Sequence, residues 1–150
     1  NYMLYECTAD QVLIEKEIKL LKDYIALEKI RYGERLAISF NILGNAGGMK
    51  VATLMLLPFV ENSFKHGVSE EMDEAWVSID LELKEEKLTL KVENSKSKHE
   101  EERDDQCNYK QGIGLKNVQR RLERLYPERH QLEMHDSEDS FLIVLQLKLG

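Results

Sequence analysis

The sequence has few cysteines and prolines and no long hydrophobic run. Its two cysteines, Cys7 and Cys107, lie far apart and lack metal-type spacing, which favours two free thiols in a reducing compartment. The longest uncharged apolar run, 51–60, has ten residues and contains Pro58, whereas a transmembrane helix needs roughly 18 or more. No signal-peptide pattern occurs. These absences exclude a disulfide-rich secreted domain and a membrane span, and they predict a cytoplasmic location.

The chain also lacks the positive charge that nucleic-acid binding requires. Its 150 residues carry a net charge of −7, so we expect no nucleic-acid partner. A hydrophobic fraction of 42% and a charged fraction of 33% are typical of one globular domain with a core. A small anionic ligand such as a nucleotide is not excluded, because a few local cations are enough to bind it.

Hydrophobic periodicity predicts an α+β domain of two layers, with helices on one face of a mostly antiparallel sheet. The polar segment 95–111 shows no periodicity and is predicted to be a loop, either functional or disordered. The predicted helices cover 14–32, 53–66 and 115–125, and the predicted strands cover 36–42, 77–83, 88–92, 132–134 and 141–149.

The second predicted helix separates apolar from polar side chains. Within 57–67 (LPFVENSFKHG), one arc is apolar and the opposite arc carries Glu61, Asn62, Lys65 and His66. An amide, a cation and an imidazole within one turn can hold a metal-bound polyphosphate. A solvated polar face is the alternative interpretation of the same pattern.

A glycine motif directly precedes the third predicted helix. Gly112 and Gly114 stand just before Leu115 and Lys116, where glycines let a phosphate approach the N–H groups of a helix N-terminus. Loop flexibility explains two such glycines equally simply. However, the motif follows both the polar helix and Asn94, which ends the second hairpin strand, so three polar segments occur in order.

These ordered motifs resemble the ATP-binding catalytic domain of sensor histidine kinases in the GHKL superfamily, and more narrowly the LytS/YehU type. The segment 57–67 matches the N box of that type, and 112–118, with Arg121-Leu122 and Leu125-Tyr126, matches its second glycine box. The segment 28–36 (EKIRYGERL) resembles the stretch before the N box. The likeness spans nearly the whole chain and implies the Bergerat fold, a two-layer α/β sandwich.

The resemblance implies a role for each matched residue. Asn62 would bind Mg²⁺ through its side-chain oxygen, Lys65 would approach the phosphates, and His66 would pack near the adenine or ribose. Asn94 would accept a hydrogen bond from the adenine amino group. Residues 95–111 would form the ATP lid. The end of this lid would also bind the nucleotide, through Gly112, Gly114, Leu115 and Lys116.

The sequence departs from the family pattern in three places. Asn94 replaces an Asp and is followed by Ser95 and Lys96 instead of glycines, which predicts weaker adenine binding. Pro58 stands where the ATPases of the superfamily have a water-activating Glu, so strong hydrolysis is not expected. Glu61 is the candidate catalytic residue, which would polarise an incoming nucleophile, and pairing with Lys65 is the alternative. None of the four histidines has the context of the phosphoacceptor.

The resemblance therefore predicts a Mg·ATP-dependent phosphotransferase domain that acts on a histidine outside this chain. Its implied partners are its own dimerisation helix and a response regulator, within a homodimeric, membrane-anchored sensor. Residues 1–13 are interpreted as the remnant of the dimerisation helix or a linker, and 14–150 as the catalytic domain. A degenerate interaction module and a GHKL protein-serine kinase are the alternatives.

Overall fold

The computed structural model describes residues 11–45, 47–67, 75–96 and 104–149. The proposed dimerisation remnant at 1–10 and the central lid residues 97–103 lie outside these ranges. The elements in chain order are β1 (Gln11–Leu13), α1 (Ile14–Tyr32), a 3₁₀ turn (Gly33–Arg35), β2 (Leu36–Gly44), β3 (Lys50–Ala52), α2 (Leu57–Gly67), β4 (Ala75–Lys84), β5 (Lys87–Ser95), α3 (Asp104–Leu125), β6 (His130–Asp136) and β7 (Ser140–Lys148).

Five strands form one mixed sheet in the order β2-β4-β5-β7-β6. The pair β2–β4 is parallel, with Leu36 opposite Ala75, and the other three pairs are antiparallel. The predicted α+β, mostly antiparallel sheet is therefore confirmed. The short strands β1 and β3 form a separate antiparallel pair that the sequence did not predict, and β1 includes residues 11–13 of the proposed dimerisation remnant.

The core lies between the helices and one face of the sheet. Alternate residues of the hairpin strands are buried, and they meet the apolar faces of the three helices in one cluster. The intervening strand residues point to the outer face, which is exposed or half-buried. The two-layer arrangement with helices on one face is thus confirmed.

Helix α1 has the predicted bounds, whereas α2 begins later than predicted. Gly33 ends α1 with φ 61° and donates its N–H to the Lys29 carbonyl, as glycine does at helix ends. Helix α2 starts at Leu57 instead of Thr53, because Leu54 has φ 55°, a left-handed conformation that interrupts a helix. Pro58 is the second helical residue, where its missing N–H costs nothing.

The structure corrects the predicted start of the third helix. Helix α3 begins at Asp104, so part of the predicted lid loop is helical, and Gly112 and Gly114 lie inside the helix instead of before it. Asp104 and Asp105 are favourable in a first helical turn because they complement the helix dipole. A glycine within a helix costs only about 1 kcal/mol relative to alanine, so two glycines do not prevent it.

Candidate functional site

Helix α2 occupies the centre of the helical layer, where it contacts α1, α3, β4 and β5. Its polar residue Asn62 is 7% exposed, and the amide nitrogen Nδ2 is buried without a hydrogen-bond partner among the described residues. An unsatisfied buried polar group costs about 1–3 kcal/mol. Such groups in native proteins call for an explanation, such as strain, a catalytic role, or a bound water or ion. Asn62 is therefore the polar residue of α2 whose burial needs explaining.

The other polar residues of α2 lie closer to solvent. Glu61 is half-buried and Lys65 is exposed, and no ion pair joins them in the described structure. The structure does not describe the side chain of His66, so the role of His66 stays a prediction.

Asn94 is the last residue but one of β5 and lies on the face of the sheet that α2 covers. It continues the buried row formed by Leu88, Leu90 and Val92, and it is 1% exposed. Its Nδ2 donates to the Ser95 carbonyl oxygen at 2.9 Å. Because that bond fixes the amide, the side-chain oxygen of Asn94 is the atom left to accept a hydrogen bond.

The chain leaves β5 through an anchor that the sequence did not reveal. Lys96 forms an ion pair with Asp136 and donates to the Ser137 carbonyl oxygen at 3.1 Å. Its backbone N–H donates to the Asp139 carbonyl oxygen at 3.0 Å. The residue that replaces the expected glycine therefore fastens the start of the proposed lid to the β6–β7 turn.

Helix α3 packs against α2 along its second half. Leu115, Val118 and Leu122 enter the core, and Lys116 is exposed. Arg121, which belongs to the motif matched to the second glycine box, donates to the Thr53 and Leu54 carbonyl oxygens at 2.7 and 3.3 Å. Arg121 is thus engaged by the segment that leads into α2.

An aromatic contact joins α1 to α2 beside Glu61. The Tyr24 and Phe64 rings meet edge to face with centroids 5.6 Å apart. Burial raises the pKa of the Tyr24 hydroxyl well above its ordinary value of 10.0, and the neighbouring carboxylates of Glu28 and Glu61 raise it further. Glu61 therefore contributes negative charge on the α1 side of α2.

The raised pKa of Tyr24 predicts a loss of stability in alkali. Its neutral hydroxyl is favoured in the folded protein, so its contribution is complete below about pH 10 and declines as the pH rises towards the folded-state pKa. Urea unfolding near pH 9 and near pH 11 should show a smaller pH-dependent loss for Tyr24→Phe than for the parent. Equal losses in the two proteins would contradict this assignment.

The candidate residues lie on three elements that pack together: α2 with Asn62, the inner end of β5 with Asn94, and α3 with the glycines. A shallow groove of about 570 Å³ lies elsewhere, on the outer face near the β4–β5 turn, and it contains none of the candidate residues. Its walls carry charges of both signs from Glu82, Lys84, Glu85, Glu86, Lys87, Lys91 and Lys148. The groove is therefore separate from the residues that the motifs singled out.

Comparison with known proteins identifies similar sequences among sensor kinases. The sensor histidine kinase BtsS of Escherichia coli K12 is 25% identical over 130 residues, which are 87% of this chain and 22% of BtsS. The sensor protein LytS of Enterococcus faecalis is 27% identical over 120 residues, covering 75% of this chain and 20% of LytS. The chain thus spans about a fifth of the length of these curated relatives. No protein-family model matches it.

Solved structures share the fold at low sequence identity. The catalytic domain of histidine kinase ThkA superposes with a TM-score of 0.62 at 14% identity, covering 93% of this chain and 94% of that domain. The Acinetobacter baumannii histidine kinase AdeS gives a TM-score of 0.56 at 14% identity, covering 92% of this chain and 64% of the AdeS chain. The fold is that of histidine kinase catalytic domains, and the resemblance to the LytS-type ATP-binding domain is confirmed.

Proposed function

We propose that this chain is the Mg·ATP-binding catalytic domain of a two-component sensor histidine kinase. The γ-phosphoryl group of ATP passes to an imidazole nitrogen of a histidine on a dimerisation helix outside this chain, and ADP leaves. A response regulator then receives the phosphoryl group. The fold and the sensor-kinase relatives support this proposal, as does a solved complex of ThkA with the response regulator protein TrrA.

The observation that carries the proposal is the buried amide of Asn62. Its oxygen can bind a hard cation, and its unpartnered nitrogen can donate to a phosphate oxygen, so a metal–polyphosphate ligand uses both atoms. Among the described residues, no three His, Cys, Asp or Glu side chains cluster closely enough to hold a metal. One Asn ligand nevertheless suits Mg²⁺, which commonly takes one or two protein oxygens together with phosphates and water.

The remaining candidate residues complete a nucleotide site in this proposal. Asn94 would accept a hydrogen bond from the adenine amino group through its side-chain oxygen, without the charge assistance of an aspartate. His66 would pack near the adenine or ribose. The cations of Lys65 and Lys116 would approach the phosphates, and Gly112 and Gly114 would allow the backbone to approach them.

Phosphoryl transfer asks a protein mainly for positioning and charge neutralisation. Mg²⁺ bound at Asn62 would neutralise phosphate charge. Glu61 would polarise the incoming histidine, and Pro58, in place of a water-activating Glu, favours transfer over hydrolysis.

In the described residues no helix has the length and hydropathy of a membrane span. We propose that the domain works in the cytoplasm as part of a membrane-anchored homodimer.

Titration calorimetry with a non-hydrolysable ATP analogue, with Mg²⁺ and then with EDTA, tests the proposal. Saturable binding that depends on Mg²⁺ is expected, and the matching GTP analogue should bind more weakly because it lacks the adenine amino group. A folded sample that binds no ATP analogue at millimolar concentration would refute the proposal and favour the interaction module.

A further inference from the structure

The segment that enters α2 holds an unusual backbone conformation. Leu54, between β3 and α2, has φ 55°, a left-handed conformation that costs a residue with a branched side chain about 1–3 kcal/mol. Such a conformation persists only where surrounding contacts fix it. Three residues further along the chain, Leu57 begins α2, the helix that carries Asn62.

Three side chains bind one backbone group in each of the four consecutive residues 52–55. The N–H of Ala52 donates to the Tyr126 hydroxyl oxygen at 2.9 Å, and the N–H of Met55 donates to Glu17 Oε1 at 3.1 Å. Between these bonds, the Arg121 guanidinium donates to the carbonyl oxygens of residues 53 and 54. Glu17 and Tyr126 are almost fully buried, so water does not compete for these bonds.

The three side chains come from both flanks of α2. Glu17 belongs to α1, Arg121 to α3, and Tyr126 follows α3 directly. Arg121 and Gly114 are seven residues apart on one helix, or about 10 Å. A shift of α3 at its glycine end therefore displaces the arginine that holds the entrance to α2.

We infer that Arg121, together with Tyr126 and Glu17, is a positioning clamp that fixes the start of α2 against α3. The clamp sets the place of Asn62 relative to Gly112 and Gly114, so that one ligand contacts both helices. This inference rests on the proposed nucleotide site. The three side chains bind the backbone of residues 52–55, so they are positioning residues and not catalytic residues.

Lysine is the informative replacement for Arg121. It keeps the positive charge, but a single ammonium lacks the planar fork that reaches two successive carbonyl oxygens. Arg124, exposed on the same helix, provides the matched control as Arg124→Lys. Tyr126→Phe is the second clamp variant, because it removes only the hydroxyl that accepts from Ala52.

Two readouts separate positioning from simple stabilisation. The first is the dissociation constant for the ATP analogue with Mg²⁺, measured well below the unfolding transition. The second is the NMR resonance of the Asn62 side-chain amide in the ligand-free protein. We expect Arg121→Lys to weaken binding about tenfold and to shift the resonance, as loss of about one charged hydrogen bond would do, and Arg124→Lys to change neither.

The inference is overturned if Arg121→Lys and Tyr126→Phe lower only the free energy of unfolding and leave both readouts at the parent values. If the parent binds no nucleotide, the proposed function fails. The clamp is then tested by the Asn62 side-chain resonance alone. This resonance must shift in Arg121→Lys and in Tyr126→Phe and remain unchanged in Arg124→Lys.

Discussion

Replacing Asn62 with alanine should weaken Mg²⁺-dependent binding of the ATP analogue about 100-fold or more, because the substitution removes the proposed metal ligand and a phosphate donor together. The same substitution should leave the ligand-free protein as stable as the parent, or slightly more stable, since it deletes a buried amide nitrogen without a partner among the described residues. Calorimetry and urea unfolding measure the two effects on one sample.

Asn41→Ala is the matched control. Asn41 lies exposed on β2, where it donates to Ser39 and Asp80, outside the helix-covered face. It should retain the parent affinity. An Asn62→Ala protein that is folded and binds as the parent does would remove Asn62 from the site. A large loss of stability in Asn62→Ala would instead show that the Asn62 amide stabilises the fold.

The second large effect is on folding. Leu21→Ala should lower the free energy of unfolding by about 2–5 kcal/mol, because Leu21 is 0% exposed and its truncation leaves a cavity in the hydrophobic core. Urea denaturation with a two-state fit measures the change.

Leu27→Ala, on the same helix, isolates the contribution of burial. Leu27 is 66% exposed, so its truncation should change the free energy of unfolding by no more than about 0.5 kcal/mol. Similar changes in the two variants would contradict the packing of α1 described above.

Local patterns predicted much of this fold. The bounds of α1 follow from an apolar repeat that ends at Gly33, and the β4–β5 hairpin follows from strict alternation on either side of a charged turn. The turn itself places Glu85 and Glu86 at φ 51° and 63°, a conformation usually taken by glycine or asparagine. Alternation in the strands predicted the hairpin even though its turn residues are atypical.

Features that depend on distant contacts were not predictable in this way. The strands β1 and β3 have three residues each, too few for a periodic signal, and the parallel pairing of β2 with β4 joins segments separated by α2. The late start of α2 depends on Leu54, whose conformation is fixed by Arg121 and its neighbours. No apolar repeat in the sequence indicates that α3 starts at Asp104.

The candidate site likewise combines residues that the sequence predicted with contacts that it did not. The motifs singled out Asn62 and Asn94, and the structure buries both, one on α2 and the other on β5, two elements that contact each other. The anchoring role of Lys96 and the contact of Glu17 with Met55 arise only in the folded chain, because each joins segments about 40 residues apart. No sequence pattern marked either residue.

The most direct test of the nucleotide site is an NMR titration of the ¹⁵N-labelled protein with the ATP analogue and Mg²⁺. The account predicts saturable shifts of the Asn62 and Asn94 side-chain amides, together with the backbone amides of Gly112 and Gly114. Shifts confined to the outer face of the sheet, or no shifts at millimolar analogue, would contradict it.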